Sequence, residues 1–143
     1  MIRPAEIKDI DSLVELGVEF GNKSLFIHTL QVSERKIRET MTNAIANISM
    51  ILLVLEIDGK IEGGIFGMVL TPYFSDEKIL QEMALYSRQK MGGIRLIEAF
   101  ECRAKEIGIK KIIIGSKPMF YDLGKIYKRR KYKLLEEHYI KEN

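Results

Sequence analysis

Residues Ser87–Glu101, SRQKMGGIRLIEAFE, join a basic loop with two adjacent glycines to the start of an amphipathic helix. Counting on from Gly93, the residues Leu96, Ile97, Phe100, Ala104 and Ile107 fall at spacings that line one face of a helix. A helix start carries backbone N–H groups with no acceptor inside the helix, and the positive end of the macrodipole. Gly92 and Gly93 at that point let a ligand come close to the backbone, and Arg88, Lys90 and Arg95 add positive charge. The chemistry this suits is the holding of a phosphate. The loop is neither a dinucleotide fingerprint nor a P-loop, because it lacks both the GxGxxG spacing and a Gly-Lys-Ser/Thr triplet.

The elements that must position this loop can be read on either side of it. Lys78–Tyr86 reads as a strand running directly into the loop, giving the order strand, glycine loop, helix. Upstream, Ser49–Ile57 and Lys60–Thr71 are two apolar runs joined by Asp58-Gly59, a hairpin signature. Gly63, Gly64 and Gly67 in the return strand point to a bulge or a close backbone approach. Asp9 is placed to cap a helix with Ile10, Leu13, Val14 and Gly17 on one face, ending near Phe20. A second helix is expected from Ser33 to about Asn47. Tyr73 and Phe74 sit in a loop and are expected to be buried in the core. Downstream, Gly108 is a C-cap, Ile109–Gly115 a short buried strand, Phe120–Arg130 a short helix and Tyr132–Lys141 a final strand.

Composition bounds the rest. A chain of 143 residues, 46% apolar and 30% charged, is one globular domain, residues 1–143, with enough length for a real core. No apolar run is as long as a membrane span, and the N-terminus shows no signal-peptide pattern. One cysteine, Cys102, excludes an intrachain disulfide, fits a reducing cytoplasm and is read as structural; no Cys/His metal spacing is present, so no metal is expected.

The loop resembles the pyrophosphate loop of the GNAT-superfamily acetyltransferases, R/Q-x-x-G-x-G/A followed by a helix reading x-x-L-L-x-A. Here Arg88-Gln89-Lys90-Met91-Gly92-Gly93 precedes Ile94-Arg95-Leu96-Ile97-Glu98-Ala99, with Met91 where the first family glycine is usual. The opening IRPAEIKD is similar to the family's first strand and Asp-capped helix. The ending, Ile126-Tyr127-Lys128-Arg129-Arg130-Lys131-Tyr132, is similar to L-Y-x-x-x-G-F, with Lys131 on the family's glycine. The resemblance spans nearly the whole chain and feels closest to small phage or bacterial members.

That resemblance implies an α/β (α+β) GNAT fold. Its sheet would be central, mixed and mostly antiparallel, with about six to seven strands and about four flanking helices. A V-shaped split would open between the strand Lys78–Tyr86 and the segment around Ile112–Gly115. It implies an acetyl-CoA-dependent N-acetyltransferase moving an acetyl group directly to a primary amine. Met83, Ala84 and Leu85 would line the pantetheine, and Arg88, Gln89, Lys90, Met91, Gly92, Gly93 and Ile94 would hold the pyrophosphate. Glu82 is the candidate base and Tyr127 the candidate acid for the departing thiolate. Phe26 and His28 would face the acceptor side, with a surface or half-buried role the better reading of His28. The acceptor is not legible, and homodimers are common in the family. Two other classes stand beside this one: a catalytically inactive GNAT-like domain binding CoA or a partner, and a nucleic-acid-binding protein. The last would use the ten Lys/Arg against four Asp/Glu from Lys110 onward, but no aromatic stacking pattern or recognition helix accompanies them.

Overall fold

The computed structural model describes residues 1–24, 30–116 and 122–143. Its strands are β1 (Ile2–Pro4), β2 (Met50–Ile57), β3 (Lys60–Leu70), β4 (Ile79–Ser87) and β5 (Ile112–Ile113). Its α-helices are α1 (Ile10–Lys23), α2 (Glu34–Ala46), α3 (Gly92–Glu106) and α4 (Gly124–Arg129). The strands lie in the sheet in the order β1-β2-β3-β4-β5. The first three pairings are antiparallel, and β4–β5 is parallel, as a crossover through α3 requires.

Local chemistry explains most boundaries. Asp58 and Gly59 both take positive φ, +50° and +75°, the conformation of a type I′ hairpin turn. The Ser33 hydroxyl accepts from the Lys36 N–H at 3.2 Å and so starts α2. Asp9 caps differently from expectation. Its carboxylate accepts the Glu6 N–H at 2.8 Å, so it closes the 3-10 turn Ile7–Asp9 that leads into α1. It is also held by the Arg3 guanidinium at 2.7 and 3.0 Å. Arg3 further bonds Glu56 on β2 at 2.7 Å, tying β1, β2 and the start of α1 together.

The sheet separates two apolar layers. Leu13 and Leu16 of α1 and Ala44 of α2 pack with Leu52, Val54, Ile61 and Phe66 on one face. On the other, Leu96, Ile97, Phe100 and Ala104 of α3 and Tyr127 of α4 pack with Leu53, Leu55, Ile65, Leu80 and Leu85. Leu80 and Leu85 lie five residues apart on one face, which strict alternation forbids. The reason is a bulge: Phe66 pairs with Ala84 and Gly67 with Glu82, leaving Met83 as the extra residue on β4. Gly67 is where a helix side chain comes closest to the sheet, since a Cβ there would lie 2.3 Å from Phe100 Cζ.

Several expectations are corrected. Among the described residues the sheet has five strands rather than six or seven. The expected strand Ile109–Gly115 pairs only at Ile112 and Ile113, and the expected strand Tyr132–Lys141 has no regular structure. The tail carries its apolar residues as neighbours, Leu134-Leu135 and Tyr139-Ile140, so no single face can be buried by pairing; all four are exposed. Tyr73 and Phe74 are exposed, packed edge to face on each other rather than in the core. Cys102 is exposed on α3. Phe26, His28 and Phe120 lie outside the described residues.

Candidate functional site

The parallel pairing of β4 with β5 consists of Leu80↔Ile112 and Gln81↔Ile113 and then stops. From Glu82 onward β4 continues to Ser87, and no strand lies along its outer edge among the described residues. The two strands therefore part at Glu82, and the outer edge at Met83, Ala84 and Leu85 faces the opening. This is the split expected from sequence.

Glu82 stands at the point of divergence. It lies on the α3/α4 face with Leu80, and only 6% of it is exposed. Its Oε2 accepts the Gly115 N–H at 2.9 Å. Tyr127 arrives at the same residue from α4: its hydroxyl donates to the Gly115 carbonyl oxygen at 2.8 Å. The two side chains proposed from sequence for proton transfer are thus brought together on the two sides of one glycine. Sequence reasoning had read Gly115 only as the end of a strand. A glycine closing the run Ile112–Ile114 before Ser116 was the available signal.

Tyr127 is placed by the end of its helix. The Lys131 N–H bonds the Lys128 carbonyl at 3.0 Å and the Tyr132 N–H bonds the Tyr127 carbonyl at 2.9 Å, with Lys131 at φ +68°. That is a Schellman motif with lysine in the glycine position. The rings of Tyr127 and Tyr132 pack across it, 5.6 Å between centroids. The Tyr132 hydroxyl donates to Glu101 at 3.1 Å; burial, and then the Glu101 charge, push that phenol above its ordinary range. Burial would raise the Glu101 carboxyl, but the Arg130 and Tyr132 hydrogen bonds outweigh it and hold Glu101 low. Arg130, within the four consecutive basic residues Lys128-Arg129-Arg130-Lys131, is thereby bound to Glu101 at 3.0 Å and to Glu98 at 3.1 Å.

The other end of β4 leads into the glycine loop. The Gly92 N–H bonds the Gln89 carbonyl at 3.0 Å, and the Ser87 hydroxyl accepts the Gln89 N–H at 3.0 Å. Helix geometry gives the N–H groups of Gly93 and Ile94, in the first turn of α3, no acceptor within the helix. Met91 holds φ +65°. At both positions where the resemblance has glycine and this chain does not, Met91 and Lys131, the backbone keeps the left-handed conformation that glycine takes without strain. Gly92 is required by packing as well as by any ligand: a Cβ there would lie 2.1 Å from Ser87 Oγ and 2.9 Å from Leu55 Cδ2.

Two cations of the loop differ in fate. Lys90 is exposed at the loop's tip. Arg88 turns to α1, where its guanidinium bonds Glu15 at 2.7 Å and Glu19 through Nε at 3.0 Å. That guanidinium holds the Glu19 carboxyl below its usual range. The Tyr86 hydroxyl donates to Glu19 at 3.1 Å and accepts from Lys23 at 3.0 Å. The sequence signal for this network is the i, i+4 pair Glu15 and Glu19 beside the apolar stripe of α1. Among the described residues no group of three His, Cys, Asp or Glu side chains could hold a metal, and no helix is long and apolar enough to cross a membrane.

No protein-family model matches the chain, and no curated protein matches it. Solved structures do. One is a predicted acetyltransferase of Clostridium acetobutylicum with acetyl-CoA, 18% identical, with 100% of this chain and 95% of that one covered and a TM-score of 0.74. Another is a GNAT family acetyltransferase of Staphylococcus aureus, 17% identical, covering 100% of this chain and 98% of that one, TM-score 0.71. A third is glucosamine-6-phosphate N-acetyltransferase of Arabidopsis thaliana, 18% identical, covering 99% of this chain and 97% of that one, TM-score 0.73. What these share with the chain, over nearly its whole length, is the fold.

Proposed function

We propose that this chain, built on the GNAT fold, is an acetyl-CoA-dependent N-acetyltransferase that moves an acetyl group to a primary amine without a covalent enzyme intermediate. The observation that carries the reading is the parting of β4 from β5 at Glu82, with the Tyr127 hydroxyl bonded to Gly115 beside that point and the first turn of α3 at the far end of β4. The chain fits the cosubstrate at both ends of the slot. The open edge of Met83, Ala84 and Leu85 suits the amide groups of a pantetheine arm, which pair as a strand would. The N–H groups of Gly93 and Ile94, with Gln89, Lys90, Met91 and Gly92 around them, suit a pyrophosphate. Arg88 supports that loop from below through α1, so its charge is partly spent on Glu15 and Glu19.

Bound acetyl-CoA would supply an activated acyl carbon and a thiol leaving group. The residues contribute position and protons. Holding both reactants in one slot turns a bimolecular step into a local one. The Tyr127 hydroxyl, which at rest donates to the Gly115 carbonyl, gives its proton to the sulfur as the C–S bond breaks and the N–C bond forms, and the proton the amine nitrogen then sheds passes through water to restore the phenol; a thiol near pKa ~8.5 and a phenol near ~10 are close enough for that transfer. Cys102 lies exposed on the outer side of α3, which supports direct transfer rather than an acyl-cysteine. A single exposed thiol also suits a reducing compartment such as the cytoplasm.

A second reading, an inactive CoA- or partner-binding domain, is favoured by Met91 in place of glycine and by the engagement of Arg88 with α1. Calorimetry with acetyl-CoA, joined to mass spectrometry of an amine panel, separates the two. Binding with acetylated product supports the transferase, and binding without product the inactive domain. In Gly93→Asp, shown by its melt to be folded, CoA binding should be lost, because a carboxylate would face the pyrophosphate. Unchanged CoA affinity in that variant refutes the loop as the phosphate site.

A further inference from the structure

We propose that Glu82 is a positioning residue whose carboxylate holds the slot open by anchoring Gly115, and through Gly115 sets the Tyr127 hydroxyl, rather than the base that deprotonates the acceptor. This rests on the acetyl-transfer reading of the same slot.

The register carries the inference. Leu80↔Ile112 and Gln81↔Ile113 are successive partners, with the Leu80 N–H on the Lys111 carbonyl, and a continuing parallel ladder would next take the Gly115 N–H to the main-chain carbonyl of Glu82. Instead the Gly115 N–H is taken by a side chain, Glu82 Oε2, at 2.9 Å. Strands in a ladder lie about 4.8 Å apart because main chain bonds main chain. A carboxylate on its two-carbon stem reaches beyond the backbone it grows from. A chain bonded to it satisfies its N–H without closing to ladder distance. Glu82 thus replaces a rung that would zip the two strands shut over the edge of Met83, Ala84 and Leu85.

The bulge reinforces this. Met83 is the extra residue of β4, so the strand changes its pleat immediately after Glu82. A bulge beside a strand's last rung bends the strand and ends the pairing. Gly115 is then held from both sides, its N–H by Glu82 and its carbonyl by the Tyr127 hydroxyl. A shift of Gly115 toward β4 would move both the wall of the slot and the acceptor on which the phenol rests. A base must also reach the incoming amine or a water beside it. Glu82 instead commits one carboxylate oxygen to the Gly115 N–H.

Glu82→Gln and Glu82→Leu divide the two roles. Glutamine keeps an oxygen that accepts the Gly115 N–H but cannot act as a base; leucine keeps the volume and loses the acceptor. We expect Glu82→Gln to retain CoA affinity and kcat within about threefold, with the wild-type pH–rate profile. We expect Glu82→Leu to raise the KM for acetyl-CoA and lower kcat together, each by roughly tenfold or more. In the apo protein, amide exchange at Gly115 should quicken in Glu82→Leu and stay slow in Glu82→Gln. A Glu82→Gln loss of kcat of about 100-fold, with CoA affinity kept and the acid limb of the pH profile gone, would show Glu82 to be the base and overturn the proposal. So would a Gly115 amide as protected in Glu82→Leu as in wild type. The exchange experiment needs no ligand, so it still decides the role of Glu82 if wild-type protein neither binds nor turns over acetyl-CoA.

Discussion

Replacing Lys131 by glycine should stabilise the chain, although it removes a side chain and adds none. The Lys131 side chain is exposed and makes no hydrogen bond or ion pair among the described residues, so truncating it breaks none of these contacts and leaves the backbone bond to Lys128 in place. It does sit at φ +68°, in the glycine position of the motif that ends α4. An L-residue in that conformation costs about 1–2 kcal/mol. Glycine gives back about 0.5–1 kcal/mol through the greater freedom of its unfolded chain. The net gain is about 0.5–1 kcal/mol.

The molecule holds its own control. α3 ends in the same motif: Gly108 N–H to Lys105 at 3.0 Å, Ile109 N–H to Ala104 at 2.9 Å, and φ +77° at Gly108 itself. A Cβ on Gly108 meets nothing within 4 Å, so Gly108→Lys carries only the conformational cost and should destabilise by about the same 0.5–1 kcal/mol. Urea unfolding of both variants measures this, with the m-value as a check that the unfolded state is unchanged. A change of 1 kcal/mol moves Tm by about 2–4 °C in a chain of this size. If Lys131→Gly is neutral or destabilising while Gly108→Lys behaves as expected, the backbone at Lys131 is not left-handed in solution and the placement of Tyr127 by this motif is wrong.

Tyr127→Phe keeps the ring against Tyr132 and removes the bond to Gly115. We expect kcat to fall by roughly 100-fold and stability by about 1 kcal/mol, with the KM for acetyl-CoA little changed; turnover within about twofold of wild type, with chemistry limiting, excludes the acid role. Asp9 governs acid stability. Its Arg3 hydrogen bond, against the opposing effect of burial, holds its folded pKa below the unfolded value near ~3.9. The stabilisation is therefore complete above that unfolded value and is lost as pH falls through the lower, folded one. Asp9→Asn should cost about 2 kcal/mol at neutral pH and flatten the loss of stability below about pH 4; an unchanged acid slope would remove Asp9 from that role.

The loop and the hairpin were legible because local chemistry specifies them. Asp58-Gly59 needs positive φ at two successive residues, and the helix stripe from Leu96 to Ala104 needs one face. The split was legible only through resemblance. Nothing in KILQEMALY announces that pairing ends after Gln81, because that ending depends on a side chain meeting a backbone N–H 33 residues away. The role of Arg88 was hidden for the same reason: its partners lie on α1, 69 and 73 residues earlier. The expected final strand failed on a local signal that was present and misread. Leu134-Leu135 and Tyr139-Ile140 are paired neighbours, whereas a half-buried strand alternates. Met91 and Lys131 show the limit of reading by residue type. The conformation was kept where the glycine was not, and φ is not written in a motif.

The strand order of the sheet repeats the order of synthesis, and its connections differ in reach. β2, β3 and β4 follow one another through a two-residue turn and one loop, so their rungs close short segments at little loop-closure entropy. β1 is different. Among the described residues its partner is β2, and α1 and α2 lie between them in the chain. A chain made from its N-terminus therefore releases Ile2–Pro4 from the ribosome long before Leu53, Val54 and Leu55 exist to receive it. Until they do, Arg3 has no Glu56. β1, made before its partner, waits for the central hairpin and joins a sheet that its own sequence could not begin.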